Sequence, residues 1–205
     1  MPDTLNAADI QEYLDREAIR DVLYRYAHGI DRCDPQVLET VYWPEAIDDH
    51  GDFKGTRDAF IEWVMPAVTN LMSTTQHLMS NILIRIEGDL AKVETCFQAY
   101  HRWGRYEDKD ARDFVLGGRY LDKMEKRGKE WRVLERVVIF DYFREYGDTG
   151  NWKQSTSINE RRPLGLRSPD DAASKLFGDS RLRAPFVPPG EGGTLGHSST
   201  HQGPG

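Results

Sequence analysis

The first candidates for chemistry are an aspartate and two histidines, residue types that transfer protons near neutral pH. Asp31 follows a predicted helix, at the end where the helix dipole disfavours an anion, so its carboxylate is either solvated or held by a partner. His77 begins a predicted strand whose other face is more apolar, which by itself favours a structural histidine, although a β-bulge could re-aim it. His101 lies on an apolar strand face, where either a structural role or a place in a pocket wall would need a hydrogen-bond partner.

Other polar residues in apolar surroundings form a second group. Arg136 alternates with apolar residues of a predicted strand, a position that calls for a ligand or for an ion pair with an acid such as Asp31 or Glu135. Tyr24 and Tyr26 lie near the end of the first predicted helix, where tyrosines are core aromatics more often than catalytic phenols.

A short acidic cluster, Asp48-Asp49-His50, lies in a predicted loop. Adjacent side chains seldom converge on one ion, so this cluster does not predict a metal site. The sequence also lacks the glycine-rich, phosphate-binding and zinc-binding motifs that accompany cofactor chemistry, and we therefore expect no cofactor.

Helices come first along the chain and strands follow, an order that predicts an α+β fold rather than a doubly wound sheet. Apolar residues recur at helical spacing over residues 9–27, and Gly29 is expected to end that helix. The predicted helices cover residues 9–27, a short segment after Asp34-Pro35, and residues 56–71 with an interruption at Pro66. Four strands joined by short turns are predicted at residues 77–86, 90–103, 113–125 and 131–143, as antiparallel hairpins.

Composition limits the partners and the compartment. The chain of 205 residues carries a formal charge of −7, which argues against nucleic acid as a main partner. No apolar run approaches the ~18 residues that cross a bilayer, and the first residues do not resemble a signal peptide. Two cysteines give no disulfide framework, so a cytoplasmic protein acting on a small molecule is expected.

The chain divides into three parts by amino-acid composition. Residues 1–146 form the predicted domain, residues 147–183 are a polar extension with a short helix over 170–177, and residues 184–205 are predicted to be a flexible tail rich in Pro, Gly, Ser and Thr. The extension could close the pocket or embrace a neighbouring subunit.

The order and spacing of several short motifs resemble the SnoaL-like branch of the nuclear transport factor 2-like superfamily. The resemblance covers residues 8–146 and depends on the motifs in combination, since no single one is specific. In chain order the motifs are REAIR (16–20), LYRYA (23–27), GID (29–31), HLMSN (77–81), GGRY (117–120), WRV (131–133), Arg136 and DYF (141–143).

This resemblance implies a cone-shaped α+β barrel in which N-terminal helices are wrapped by a curved, mainly antiparallel sheet around a pocket. Lyases of the branch use an aspartate after the first helix to orient a histidine base, and Asp31 and His77 match those positions. Tyr26 and Arg136 match further pocket residues and are expected to take part in catalysis. Substrate-binding residues are expected to be His101, Tyr24, Asp49, His50, Phe97, Trp63, Trp103 and Phe140.

The implied activity is a cofactor-independent lyase, first of all a dehydratase acting on a hydroxylated aromatic, polyketide or steroid-like compound. Release of formaldehyde from a lignin-derived diaryl compound and isomerisation by proton transfer are alternatives that use the same base. A non-catalytic role, as a ligand-binding scaffold or an oxygenase small subunit, is the alternative of another class. The resemblance also implies a homo-oligomer, either a trimer or a dimer built on the sheet.

Overall fold

The computed structural model describes residues 6–104, 111–147 and 165–182, with side chains described as far as residue 178. The helices are α1 (Ala7–Asp31), α2 (Pro35–Glu39), α3 (Arg57–Pro66), which continues into a π-helical turn (Ala67–Leu71), and α4 (Ala172–Leu182). The strands are β1 (Tyr42–Asp49), β2 (Lys54–Thr56), β3 (Met72–Glu87), β4 (Leu90–Trp103), β5 (Arg112–Arg127) and β6 (Glu130–Gly147).

Helix α1 runs two residues past the glycine that was expected to end it. Its first turn is fixed by a capping box, in which Asn6 and Asp9 each accept a hydrogen bond from the other's backbone N–H. The prediction for Gly29 was wrong because this residue serves packing: a Cβ there would lie 2.7 Å from Leu38 of α2. Asp31 is consequently the last residue of α1 rather than a loop residue beyond it.

The six strands form one curved, open sheet in the order β2-β1-β6-β5-β4-β3. The long strands β3 to β6 pair as the predicted antiparallel meander, whereas β1 pairs with β6 in parallel. Residues 42–56 were not predicted to contain strands, and β1 and β2 are therefore additions to the sequence-based fold. The α+β class, with helices packed on a curved and mainly antiparallel sheet, is confirmed.

The core lies between α1 and the inner face of the sheet. Helix α1 contributes a buried stripe that includes Ile19, Val22, Leu23 and Tyr26, and β4 contributes the alternate residues from Ala91 to Ala99. Residues 165–182 of the C-terminal extension are attached near the end of α1. There the backbone N–H of Ser168 donates to the carbonyl of Arg32 at 2.7 Å. The helix predicted over 170–177 begins two residues later, as α4, and the predicted flexible tail lies outside the described residues.

Within these described segments, no helix is both long and apolar enough to cross a membrane.

Candidate active site

Asp31 and His77 form a tightly held pair. Nδ1 of His77 lies 2.7 Å from Oδ1 of Asp31, and the backbone N–H of His77 donates to Oδ2 at 2.7 Å. Both carboxylate oxygens are therefore engaged by one residue, which fixes the ring orientation. Because an ionised carboxylate only accepts hydrogen bonds, the proton of the neutral imidazole lies on Nδ1 and the lone pair on Nε2. The His77 side chain is only 7% exposed.

A β-bulge explains how His77 reaches the inner face of the sheet. The register of β3 against β4 shifts between Ser80 and Leu83, and Asn81 adopts a left-handed conformation with φ of 47°. Inward positions are therefore odd-numbered before the bulge, as at His77, and even-numbered after it, as at Ile82. The sequence showed the more apolar even face without revealing that the strand changes face partway along.

Asp31 is held in its ionised form despite its unfavourable position. Burial opposes the charge, but hydrogen bonds from the ring and backbone of His77 outweigh it, and the pKa of Asp31 lies below its ordinary value. Thr75 adds a further hydrogen bond to the carboxylate. This set of donors compensates for the negative end of the α1 dipole, where the residue lies.

Arg167, from the C-terminal extension, fastens together the elements that carry this pair. Its guanidinium donates to the backbone carbonyl of Asp31 and, at 3.0 Å, to Oγ1 of Thr75. It also donates to the carbonyls of Val68 and Met72, each at 3.3 Å. One side chain thus links the end of α1, the π-helical turn and the start of β3. A cation at the C-terminal end of α1 is also favourable to the helix dipole.

His101 lies beside His77 and is held neutral. The two rings are 5.3 Å apart between centroids, and Nε2 of His101 is buried without a hydrogen-bond partner among the described residues. Burial, together with the neighbouring His77, lowers the pKa of His101 to about 4. The partner expected from the sequence is therefore absent at this nitrogen in the described part of the chain.

Tyr26 links this pair to a second group of buried polar residues. Its ring lies edge-on to His77, with centroids 6.4 Å apart, and its hydroxyl is 3.4 Å from Nε2 of His50. Nδ1 of His50 is hydrogen-bonded to the carboxylate of Asp48, which also accepts a hydrogen bond from the Tyr42 hydroxyl at 2.7 Å. The site thus contains a second aspartate–histidine pair.

Arg136 supports Tyr26 from behind. Its guanidinium makes two hydrogen bonds of 2.7 Å to Asp122, donates to Tyr42, and lies 4.2 Å from the centre of the Tyr26 ring. The prediction that Arg136 pairs with Asp31 or Glu135 was wrong. Its ion-pair partner is Asp122, and Glu135 pairs with Lys123. These contacts place Arg136 to act on a substrate through Tyr26.

Aromatic side chains from α3 complete the second group. His50 stacks on Phe60 with ring centroids 5.0 Å apart, and Trp63 stacks on Phe53 at 4.9 Å. The ring of Trp63 also lies 6.0 Å from that of His50, and the residue is 43% exposed. Flat apolar surface therefore adjoins the polar groups.

Several predicted substrate-binding residues lie away from both aspartate–histidine pairs. Tyr24 is on the outer side of α1 and is 53% exposed, and Asp49 points outward to an ion pair with Lys54. Phe97 stacks on Tyr120, behind Tyr26, and Phe140 is a 52% exposed residue that meets Phe97 edge-on. The last of these residues, Trp103, packs against Phe114.

The sequence reasoning missed four polar residues of the cluster: Tyr42, Asp48 in its pairing role, Tyr120 and Asp122. The available signal was the spacing of Asp48 and His50, which share one face if the segment is a strand. Within the described residues, no group of three or more His, Cys, Asp or Glu side chains is arranged to hold a metal ion. The arrangement can accept a proton at one end and donate one at the other.

Comparison with known proteins adds a family and a fold. The profile described as SnoaL-like domain matches residues 11–137. An uncharacterized protein of Mycobacterium tuberculosis strain H37Rv is 26% identical over 133 residues, which cover 62% of this chain and 86% of that protein.

Two solved structures share the fold at low sequence identity. A putative scytalone dehydratase from Novosphingobium aromaticivorans has a TM-score of 0.59 at 20% identity, covering 75% of this chain and 97% of that one. A hexachlorocyclohexane dehydrochlorinase, LinA type 3 from Novosphingobium barchaimii, has a TM-score of 0.60 at 15% identity, covering 76% of this chain and 99% of that one.

Proposed function

The chain belongs to the SnoaL-like domain family, and we propose that it is a cofactor-independent acid–base lyase that removes water from a hydroxylated aromatic, polyketide or steroid-like compound. The observation that carries this proposal is the Asp31–His77 pair, whose geometry leaves Nε2 of the imidazole with a lone pair. Two of the proteins that share the fold are described as a putative scytalone dehydratase and a hexachlorocyclohexane dehydrochlorinase, and both names denote eliminations.

His77 is the base in this proposal. Nε2 takes a proton from a substrate carbon or hydroxyl, and Asp31 stabilises the imidazolium that forms, since it is ionised and bonded to the other ring nitrogen. The additional backbone hydrogen bond holds the ring in one orientation before the substrate binds, so little reorganisation is needed.

Tyr26 is the acid. Burial raises the pKa of its phenol well above the ordinary value, so the hydroxyl is protonated at neutral pH and has a proton to donate. Its ring lies edge-on to His77, and its hydroxyl lies 3.4 Å from Nε2 of His50 and is hydrogen-bonded to the Tyr120 hydroxyl. The guanidinium of Arg136 over the ring offsets negative charge that develops on the phenol oxygen.

The surroundings favour an aromatic or polycyclic substrate. Phe60 and Trp63 supply flat apolar surface beside the polar groups, and such surfaces stack on planar ligands. His101 is neutral, so it adds no positive charge next to the base.

The test is mass spectrometry of the products formed from a panel of hydroxylated aromatic and steroid-like compounds. Wild type is compared with His77→Ala and with Gln76→Ala, a control at the exposed neighbouring position of β3. General-base catalysis contributes about 10²–10⁴-fold, so His77→Ala should lose that much turnover and Gln76→Ala none. Loss of water establishes a dehydratase, whereas loss of formaldehyde establishes the carbon–carbon lyase.

Two results would contradict the proposal. Equal conversion by wild type and His77→Ala would remove His77 from the mechanism. Conversion of no compound by any of the proteins would favour the non-catalytic scaffold.

The homo-oligomer and the cytoplasmic location stay predictions, and light scattering behind a sizing column tests the first of them.

A further inference from the structure

The Asp48–His50 pair has the same chemical form as Asp31–His77 but faces Tyr26 from another direction. Asp48 is fully buried in β1, and His50 follows the strand at the next position on the same face. Nδ1 of His50 is bonded to the Asp48 carboxylate, so that Nε2 is directed at the Tyr26 hydroxyl, 3.4 Å away. The proposed acid therefore has an oriented imidazole as its neighbour.

The position of Asp48 is fixed from several sides. Tyr42 donates a hydrogen bond of 2.7 Å to its Oδ2, and Arg136 in turn donates to the Tyr42 hydroxyl at 3.2 Å. Phe60 covers one face of the His50 ring. His50 is thereby held in one orientation, with Nε2 towards the Tyr26 hydroxyl and Nδ1 on Asp48, as a histidine that passes protons must be.

A purely structural role does not account for the whole arrangement. Asp48 already has a hydroxyl partner in Tyr42, and a buried strand end does not need a histidine whose second nitrogen faces a phenol. The side chain of His50 is also still 14% exposed, so it can exchange protons with solvent while remaining mostly sheltered. Tyr26, in contrast, is fully buried and cannot recover a proton from bulk water directly.

We propose that the Asp48–His50 pair supplies Tyr26 with the proton that the phenol gives to the departing oxygen. This inference depends on the proposed lyase activity, in which Tyr26 is the acid. His50 acts through Tyr26 and is a positioning and relay residue. Its effect should therefore appear in the turnover step and not in substrate binding.

The proton balance of one turnover is complete without a further reagent. Nε2 of His77 takes a proton from substrate carbon, the carbon–oxygen bond breaks with its electrons moving to oxygen, and the Tyr26 hydroxyl protonates that oxygen, which leaves as water. The turnover starts with the His50 ring protonated on both nitrogens, so the phenol oxygen takes the proton from Nε2 while Nδ1–H stays hydrogen-bonded to the Asp48 carboxylate. His77 then releases its proton to solvent and His50 takes one up.

The experiment compares variants along β1 on a compound that wild type converts. His50→Gln keeps a polar side chain but cannot relay a proton, and Asp48→Asn removes the orienting carboxylate. Asp49→Asn is the matched control, because Asp49 points outward to Lys54. We expect His50→Gln to lower kcat by about 10²-fold with little change in KM, and Asp49→Asn to behave as wild type.

Two further measurements separate a relay from structural support. Added imidazole should restore part of the turnover of His50→Ala, which a structural role would not allow. The double variant Tyr26→Phe/His50→Gln should be no slower than Tyr26→Phe alone, because residues that act as a unit are not additive. Unchanged kcat in His50→Gln, or additive losses in the double variant, would overturn the relay. Thermal melting of each variant verifies folding.

The outcomes also separate the relay from the lyase proposal. If His77→Ala loses turnover and His50→Gln does not, the lyase stands and the relay fails. If wild type converts nothing, the lyase proposal fails, and exchange of the Tyr26 hydroxyl proton measured by NMR decides the relay. Faster exchange in wild type than in His50→Gln supports a proton path through His50, and equal rates refute it.

Discussion

His101 should make the protein less stable as the pH falls below neutral. Burial and the adjacent His77 lower its pKa to about 4, whereas a histidine in an unfolded chain has a pKa of about 6.5. Between these two values the unfolded chain holds a proton that the folded protein excludes, so a falling pH favours unfolding. The buried Nε2, which has no hydrogen-bond partner among the described residues, is the structural cause.

The size of the effect follows from the two pKa values. Linkage gives a loss of about 2 kcal/mol in the free energy of unfolding between about pH 7 and about pH 5, and about 3 kcal/mol in total once the pH is below about 4. This contribution is fully present above the unfolded pKa and is lost progressively as the pH falls towards the folded pKa. It is a large fraction of the stability of an ordinary domain.

Urea unfolding at the two pH values measures the effect in wild type, His101→Gln and His101→Leu. The two variants will differ from each other in absolute stability, because a polar and an apolar side chain fill the site differently. Neither titrates, however, so the loss of stability between pH 7 and pH 5 should be smaller in both by the same amount, about 2 kcal/mol. A loss as large as that of wild type in both variants would refute the reasoning.

Three further predictions concern support for the site. Gly118→Ala should cost at least about 2 kcal/mol of stability in chemical denaturation, because the added Cβ would lie 1.9 Å from a carbonyl oxygen of β6. The control Gly147→Ala should be neutral in the same measurement, because there is open space around Gly147. Asp122→Asn should cost about 3–5 kcal/mol by leaving the Arg136 charge buried and unpaired, and a stability equal to wild type would contradict this. Arg167→Ala should cost about 1–3 kcal/mol in urea unfolding and lower kcat, and intact turnover would show that the pair does not need it.

The sequence predicted strand boundaries best where apolar and polar residues alternate without interruption. Strand β4 begins and ends where its pattern indicated, because every second residue from Ala91 to Ala99 is buried in the core and no bulge interrupts the pairing with β5. Strand β1 gave no such pattern. Its register against β6 is irregular between Tyr42 and Ile47, its parallel partner is distant in the chain, and its hairpin partner β2 has only three residues. The second aspartate–histidine pair was missed for that reason.

Bulges account for the remaining errors at the site. Counting back from the β5–β6 turn pairs Arg127 with Glu130, and the same register would place Arg136 opposite Leu121. A register shift between Lys123 and Met124 instead brings Asp122 opposite Arg136. The face of His77 depends on a shift of the same kind in β3. Each bulge shifts the pairing of all residues beyond it by one position, and single-sequence alternation does not report where this occurs.

The residue type paired with each buried carboxylate distinguishes a structural ion pair from a pair that can transfer a proton. Asp122 is paired with Arg136, and arginine does not release its proton in proteins. Asp31 and Asp48 are paired with histidines, the side chain that changes charge near neutral pH. An arginine would neutralise either carboxylate more permanently, so histidine at both places is a poor choice for stability alone. It is the appropriate choice if the proton on each ring has to move, and both rings lie next to Tyr26.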